Sequence, residues 1–193
     1  MRAICLTSQG FFYITPAMSP DYFKLLNLPT KLKLDHNKLK KNYFNLIRHK
    51  SKDPVVNPKE VKEPDKKEKE LIKKAYETLK GRITRIEHLL EINGQRVDED
   101  TKVPTTLGPI YEQVQTLIKT PRKNQKCINE LKQLHKDVIA EFSAISIDLA
   151  HLENEWDNSA GADHQVILKK LKRKTLAFSF IRDVEQNIRT AIN

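Results

Sequence analysis

The stretch from Ser19 to Lys50, SPDYFKLLNLPTKLKLDHNKLKKNYFNLIRHK, decides the fold class. Ser19 before Pro20 reads as a helix N-cap, Tyr22, Phe23, Leu25 and Leu26 supply a short apolar face, and Leu28-Pro29 ends it. Asp35 can cap a second helix. There Leu39, Tyr43, Leu46 and Ile47 share one side, whereas Lys38, Lys40, Lys41 and Arg48 fall mostly elsewhere, which predicts a basic amphipathic helix.

The three prolines of Ser51 to Pro64 force a loop after it. A third helix is predicted from near Asp65, and its stripe of Leu71, Ile72, Ala75, Tyr76 and Leu79 faces back onto the second. Gly81 marks a weak point in the helical pattern. Beyond it Ile83, Ile86, Leu89, Leu90 and Ile92 predict another helix, stopped at Asn93-Gly94.

A polar linker from Gln95 to Thr106 leads to three further helices, expected around Pro109 to Lys119, Gln125 to Leu152 and His164 to Ile192. Their connections are short, so antiparallel neighbours and a bundle follow. The fold class expected is all-α: a helical hairpin followed by a C-terminal three-helix bundle. Only 5 of the 193 residues are Gly, and 31% are charged, which suits helices and argues against a β-rich fold.

The formal charge of +10 is concentrated, since residues 31–80 hold 16 Lys/Arg against 8 Asp/Glu. A local docking face fits that distribution better than a diffuse coat. Cys5 and Cys127 stand too far apart in the chain to suggest a disulfide framework or a metal-ligand spacing, so no cofactor and no metal is expected and a reducing compartment fits. The longest uncharged stretch, Ala3 to Asp21, is broken by Ser, Gln, Gly and Pro, so no membrane span is expected. Arg2, Thr7 and Ser8, with no acidic residue before Asp21, make residues 1–18 resemble a targeting segment; the same residues read equally as an arm that packs Phe11, Phe12 and Tyr13 on the body of the protein or on a partner.

No HExxH, glycine-rich phosphate loop or nucleophile motif is present, so the chain is not expected to be an enzyme. His135 with Glu141, and His151 with Glu153 and Glu155, are expected on solvated helical faces.

DYFKLLNLP at 21–29, AYETL at 75–79 and RIEHLLEING at 85–94, in that order, resemble HscB-type co-chaperones, the J-domain proteins of iron-sulfur cluster biogenesis in mitochondria and bacteria. The resemblance spans 19 to 193 and implies a J-domain over 19–81 and an HscB-like helical bundle over 82–193. It also implies that the basic face of Lys38, Lys40, Lys41 and Arg48 meets an acidic region of a DnaK-type chaperone. An apolar patch matching Ile110, Tyr111, Val114 and Phe178 would hold the cluster scaffold, although Gln115 and Ile118 stand where acidic neighbours are expected, and the same four residues read alternatively as core residues of the bundle. The family's activating His-Pro-Asp tripeptide aligns with Ser51, Lys52 and Asp53, of which only the Asp is retained.

Loss of that tripeptide points to an HscB-like fold kept for binding, as an accessory subunit of a larger assembly on the matrix side of mitochondria, such as a respiratory-chain complex or the mitoribosome. The alternative is a co-chaperone that links the cluster scaffold to the chaperone. Other proteins are the expected partners. Contact of the lysine-rich helices with nucleic acid is a third reading, without aromatic stacking motifs to support it.

Overall fold

The structure is a computed structural model that describes residues 19–48, 66–97, 104, 105, 107–120, 125–159, 161 and 163–192. The arm at 1–18, with Phe11, Phe12 and Tyr13, and the tripeptide positions Ser51, Lys52 and Asp53 lie outside the described residues. Seven helices are present and no strand occurs among the described residues: α1 Tyr22–Leu25, α2 His36–Ile47, α3 Lys66–Lys80, α4 Arg82–Ile92, α5 Gly108–Lys119, α6 Gln125–Asn158 and α7 Asp163–Ile192. The fold is all-α, a J-domain hairpin joined to a C-terminal helical bundle.

Local chemistry accounts for most of these boundaries. The Asp35 carboxylate accepts from the N–H groups of Asn37 and Lys38 and starts α2, as expected. For α1 the cap is Asp21, which accepts from Phe23 and Lys24, and not Ser19. Ser19 instead donates its hydroxyl to Glu91 at 2.5 Å, because the residue adjoining the first turn reaches the orphan N–H groups and one two positions further back does not. At the end of α4, Gly94 adopts φ of +73°, Gln95 N–H donates to Leu90 O, and Gly94 N–H donates to Glu91 O. That pair of bonds is the Schellman stop that Asn93-Gly94 announces.

Helices α2 and α3 form the hairpin, with Tyr43 stacked on Tyr76 at 4.4 Å and the end of α2 facing the start of α3. Helix α1 lies on α3, burying Phe23 and Leu26 completely. The long helices α6 and α7 are antiparallel, since Glu155 meets Lys170, Asp148 meets Lys174 and His135 meets Glu185 in reverse order along the chain. Helix α6 runs six residues past the expected Leu152, because Glu153 and Trp156 are buried against the rest of the protein and continue its inner face. Helix α5 covers one side of the α6–α7 pair and α4 packs on both α3 and α7.

Candidate partner-binding surfaces

Lys38, Lys40, Lys41 and Arg48 are all exposed on α2, while Leu39 is buried and Tyr43, Leu46 and Ile47 pack on the core. The amphipathic division read from the sequence therefore places the four cations in solvent. Arg48 also lies over the Phe44 ring at 5.3 Å, and Phe44 is itself exposed. This makes an apolar contact point ringed by positive charge. Lys66, Lys69 and Lys73 of α3, with the single carboxylate of Glu70 among them, line the neighbouring cleft with Tyr43 and Ile47, which leaves a net positive surface across the hairpin.

The four residues matched to the scaffold patch divide between the core and part-exposed positions. Val114 is fully buried and has nothing to offer a partner. Ile110, Tyr111 and Phe178 are half-buried against the core. Tyr111 meets Phe180 at 5.3 Å, whereas Phe178 meets Phe142 of α6 at 4.7 Å. Residues two apart on a helix point to different sides, so Tyr111 and Phe178 take separate neighbours. A core helix spends one full stripe on packing, and Val114 lies on that stripe.

The side of α5 that does face solvent forms a groove with α6. Its volume is about 660 Å³, Leu117 and Leu134 contribute apolar surface, and Glu112, Glu130 and Asp137 supply three carboxylates, of which Glu130 meets exposed Lys126 at 3.9 Å. The bundle thus presents an acidic, partly apolar recess in a chain of formal charge +10. Sequence reading missed it because Glu112 belongs to α5 whereas Glu130 and Asp137 belong to α6. The signal available was the run of polar positions on α5 opposite Val114.

Between these two surfaces α4 is pinned to α6 through Arg82 and holds the hairpin through Arg85 and His88. Arg82 donates from Nε to Glu153 at 2.6 Å and from its two Nη atoms to the hydroxyl and carbonyl of Ser146. Glu153, expected in solvent, is buried, and His135 is half-buried at 2.9 Å from Glu185; His151 and Glu155 are exposed as expected, and Glu141 is intermediate. Arg85 donates to Leu79 O, and burial pulls its guanidinium below the ordinary value despite the opposing field of Glu153. His88 is buried too. Its Nε2 accepts from the Tyr22 N–H at 3.0 Å, its ring stacks on Tyr22 at 4.2 Å, and burial lowers its pKa.

Among the described residues no group of three or more His, Cys, Asp or Glu side chains is placed to hold a metal ion, and no helix is long and apolar enough to cross a membrane.

No protein-family model matches the chain. Co-chaperone protein HscB from three strains of Buchnera aphidicola subsp. Acyrthosiphon pisum is 31% identical to it over 121 residues, which covers 59% of this chain and 69% of theirs. The crystal structure of human co-chaperone protein HscB shares its fold, with a TM-score of 0.53 at 18% identity over 98% of this chain and 90% of the human one. The relationship is to co-chaperones, not to enzymes. Its sequence relatives, its helix order and its J-domain hairpin joined to a bundle establish that this chain belongs to the HscB co-chaperone family.

Proposed function

We infer that the chain is an adaptor of iron-sulfur cluster assembly, acting in the mitochondrial matrix, that brings a cluster scaffold to a DnaK-type chaperone. The observation that carries this reading is the separation of two charged surfaces of opposite sign on one fastened body. The exposed cations of α2 suit an acidic chaperone surface, and the α5–α6 groove suits a partner segment with positive and apolar side chains. The division into an arm at 1–18, a J-domain at 19–81 and a bundle at 82–193 belongs to the same proposal, as does assignment of scaffold contact to the exposed side of α5.

A second reading rests on Ser51 and Lys52, which stand where the family's His and Pro are expected. Without that trigger the fold would serve as a non-stimulating accessory subunit of a larger mitochondrial assembly.

Single-turnover ATP hydrolysis by the mitochondrial DnaK-type chaperone, with and without the scaffold, separates the two. The adaptor reading expects faster hydrolysis that the paired change Lys40→Glu and Lys41→Glu weakens at low salt. An unchanged rate with both partners present overturns it. Stoichiometric recovery with respiratory-chain or ribosomal components would then support the second.

A further inference from the structure

Four large apolar side chains are conspicuously exposed among the described residues, and two of them, Ile139 and Ile147, lie on α6. Eight residues separate them, about 12 Å along the helix. The outward positions between and beyond them are Ala140, Ser143, Ala144 and Ala150, all exposed. Ser143 turns its hydroxyl back onto Ile139 O at 2.8 Å, which satisfies the group within the helix and leaves only its methylene to face out. The nearby acids are committed to the flanks. Asp137 lines the α5 groove, Asp148 pairs with Lys174 of α7, and part-buried Glu141, two positions from Ile139, turns to the opposite side of the helix. From Ile139 to Ala150 the outer face of α6 therefore carries no charge, although 31% of the chain is charged.

Among the described residues no other helix covers this face, since α5 and α7 are the elements packed on α6 and Arg82 of α4 reaches only its Ser146 and Glu153 side. We propose that it is a self-association surface on which α6 of a second copy packs antiparallel about a two-fold axis through Ser143. Three features select a second copy in that orientation. Ile139 of one copy falls opposite Ile147 of the other, and the reverse contact repeats it, as an isologous interface requires. The small residues Ala140, Ser143 and Ala144 lie at the crossing, where they permit the ~8 Å axis separation at the close end of the usual range. Charge agrees as well: exposed Lys132 lies opposite the Asn154–Glu155 end of the second helix, where Glu155 meets Lys170 of its own α7 only at 4.0 Å and stays half-exposed, whereas a parallel pairing would set Lys132 and Lys136 against their own copies.

A single helix stripe is smaller than the roughly 800 Å² per partner of a standard interface, so the dimer is weak and concentration-dependent. It does not depend on the adaptor reading. Its consequence is bivalence, with two basic α2 faces on one particle.

Sedimentation velocity of the full chain from low to several hundred micromolar tests the proposal. The wild-type chain is expected to move from monomer toward dimer, and Ile147→Lys to stay monomeric with an unchanged helical spectrum and melting temperature, since that side chain is already 58% exposed. Lys132→Glu should weaken the dimer, and adding Glu155→Lys should restore it. Ser143→Cys should cross-link copies on mild oxidation, whereas Lys136→Cys should not, because its two thiols would sit about 20 Å apart. A wild-type chain that is monomeric throughout overturns the proposal, as does a dimer that survives Ile147→Lys. Loss of scaffold or chaperone binding in Ile147→Lys without any wild-type dimer would assign the face to that partner instead.

Discussion

The Asp157 carboxylate, at the end of α6, accepts the backbone N–H of Leu32 at 2.7 Å, and its second oxygen accepts that of Lys33 at 2.8 Å. One side chain of the bundle thus closes the connection between α1 and α2, much as a cap closes a helix. Trp156 donates from Nε1 to Thr30 O at 3.2 Å, and Lys33 donates from Nζ to Asn154 at 2.6 Å, so the clasp has four strands of contact. The orientation of the hairpin on the bundle follows from it.

Replacing Asp157 with Ala removes both acceptors and leaves a part-buried N–H at Leu32 without one. Urea denaturation should show a loss of about 2–3 kcal/mol, with Asp157→Asn intermediate because one oxygen remains. Hydrogen exchange at the Leu32 amide should accelerate in both variants. An unchanged exchange rate would show that the clasp does not order this connection.

Glu153 and Arg82 form an unequal pair, because the carboxylate side chain is 8% exposed and the guanidinium 34%. Glu153 also faces Arg85, so its loss leaves two guanidinium groups short of one counter-charge. Glu153→Gln should therefore cost about 2–3 kcal/mol and Arg82→Ala about 1–2, the partly solvated member being worth less. A double-mutant cycle measured by denaturation checks the order, and equal costs would contradict it.

His88 ties stability to pH. Burial holds its imidazole below the ordinary 6.5, against the raising influence of Glu91 and Asp21. The unfolded chain then takes up a proton before the folded one does, so this contribution is complete above pH 6.5 and is lost as the pH falls through the depressed folded value. Melting temperatures between pH 7.5 and 5 should decline in the wild-type chain. His88→Phe should flatten that limb while lowering stability throughout, since the Tyr22 N–H loses its acceptor. Glu185, held below its ordinary 4.5 chiefly by the hydrogen bond from His135, adds a decline of the same sign only at lower pH.

Restoring the family tripeptide with Ser51→His and Lys52→Pro should raise the rate at which the DnaK-type chaperone hydrolyses ATP in the presence of this chain by about tenfold, equal to ~1.4 kcal/mol of barrier. Binding of the chaperone should change little, because the exposed cations of α2, proposed to meet it, are untouched. Single-turnover hydrolysis and a binding isotherm, measured together, separate the two effects.

Much of the helical framework is legible in local pattern. Leu39, Tyr43 and Leu46 recur at helical spacing and lie on the inner side of α2, while Lys38, Lys40 and Lys41 emerge in solvent. Asp35 and Asn93-Gly94 mark their helix ends because a cap or a left-handed stop needs only residues within one turn. The cap of α1 was misplaced by two positions, Ser19 for Asp21, as both are good caps and only the geometry of the turn distinguishes them.

What depended on distant partners was not legible. Val114 has the spacing of a patch residue and of a core residue alike, and the packing of α5 on α6 and α7 assigned it to the core. Glu153 looks like any acid on a charged helix until Arg82, 71 residues earlier, is brought to it. The sequence by itself determined an all-α chain with a basic amphipathic second helix and an altered tripeptide, because periodicity, capping and residue identity are local properties. Only the tertiary structure decided that Asp157 clasps Leu32, that His88 is buried against Tyr22, and that the acids of α5 and α6 share one groove. Burial and long-range hydrogen bonding arise from which helices meet, and no single helix carries that information.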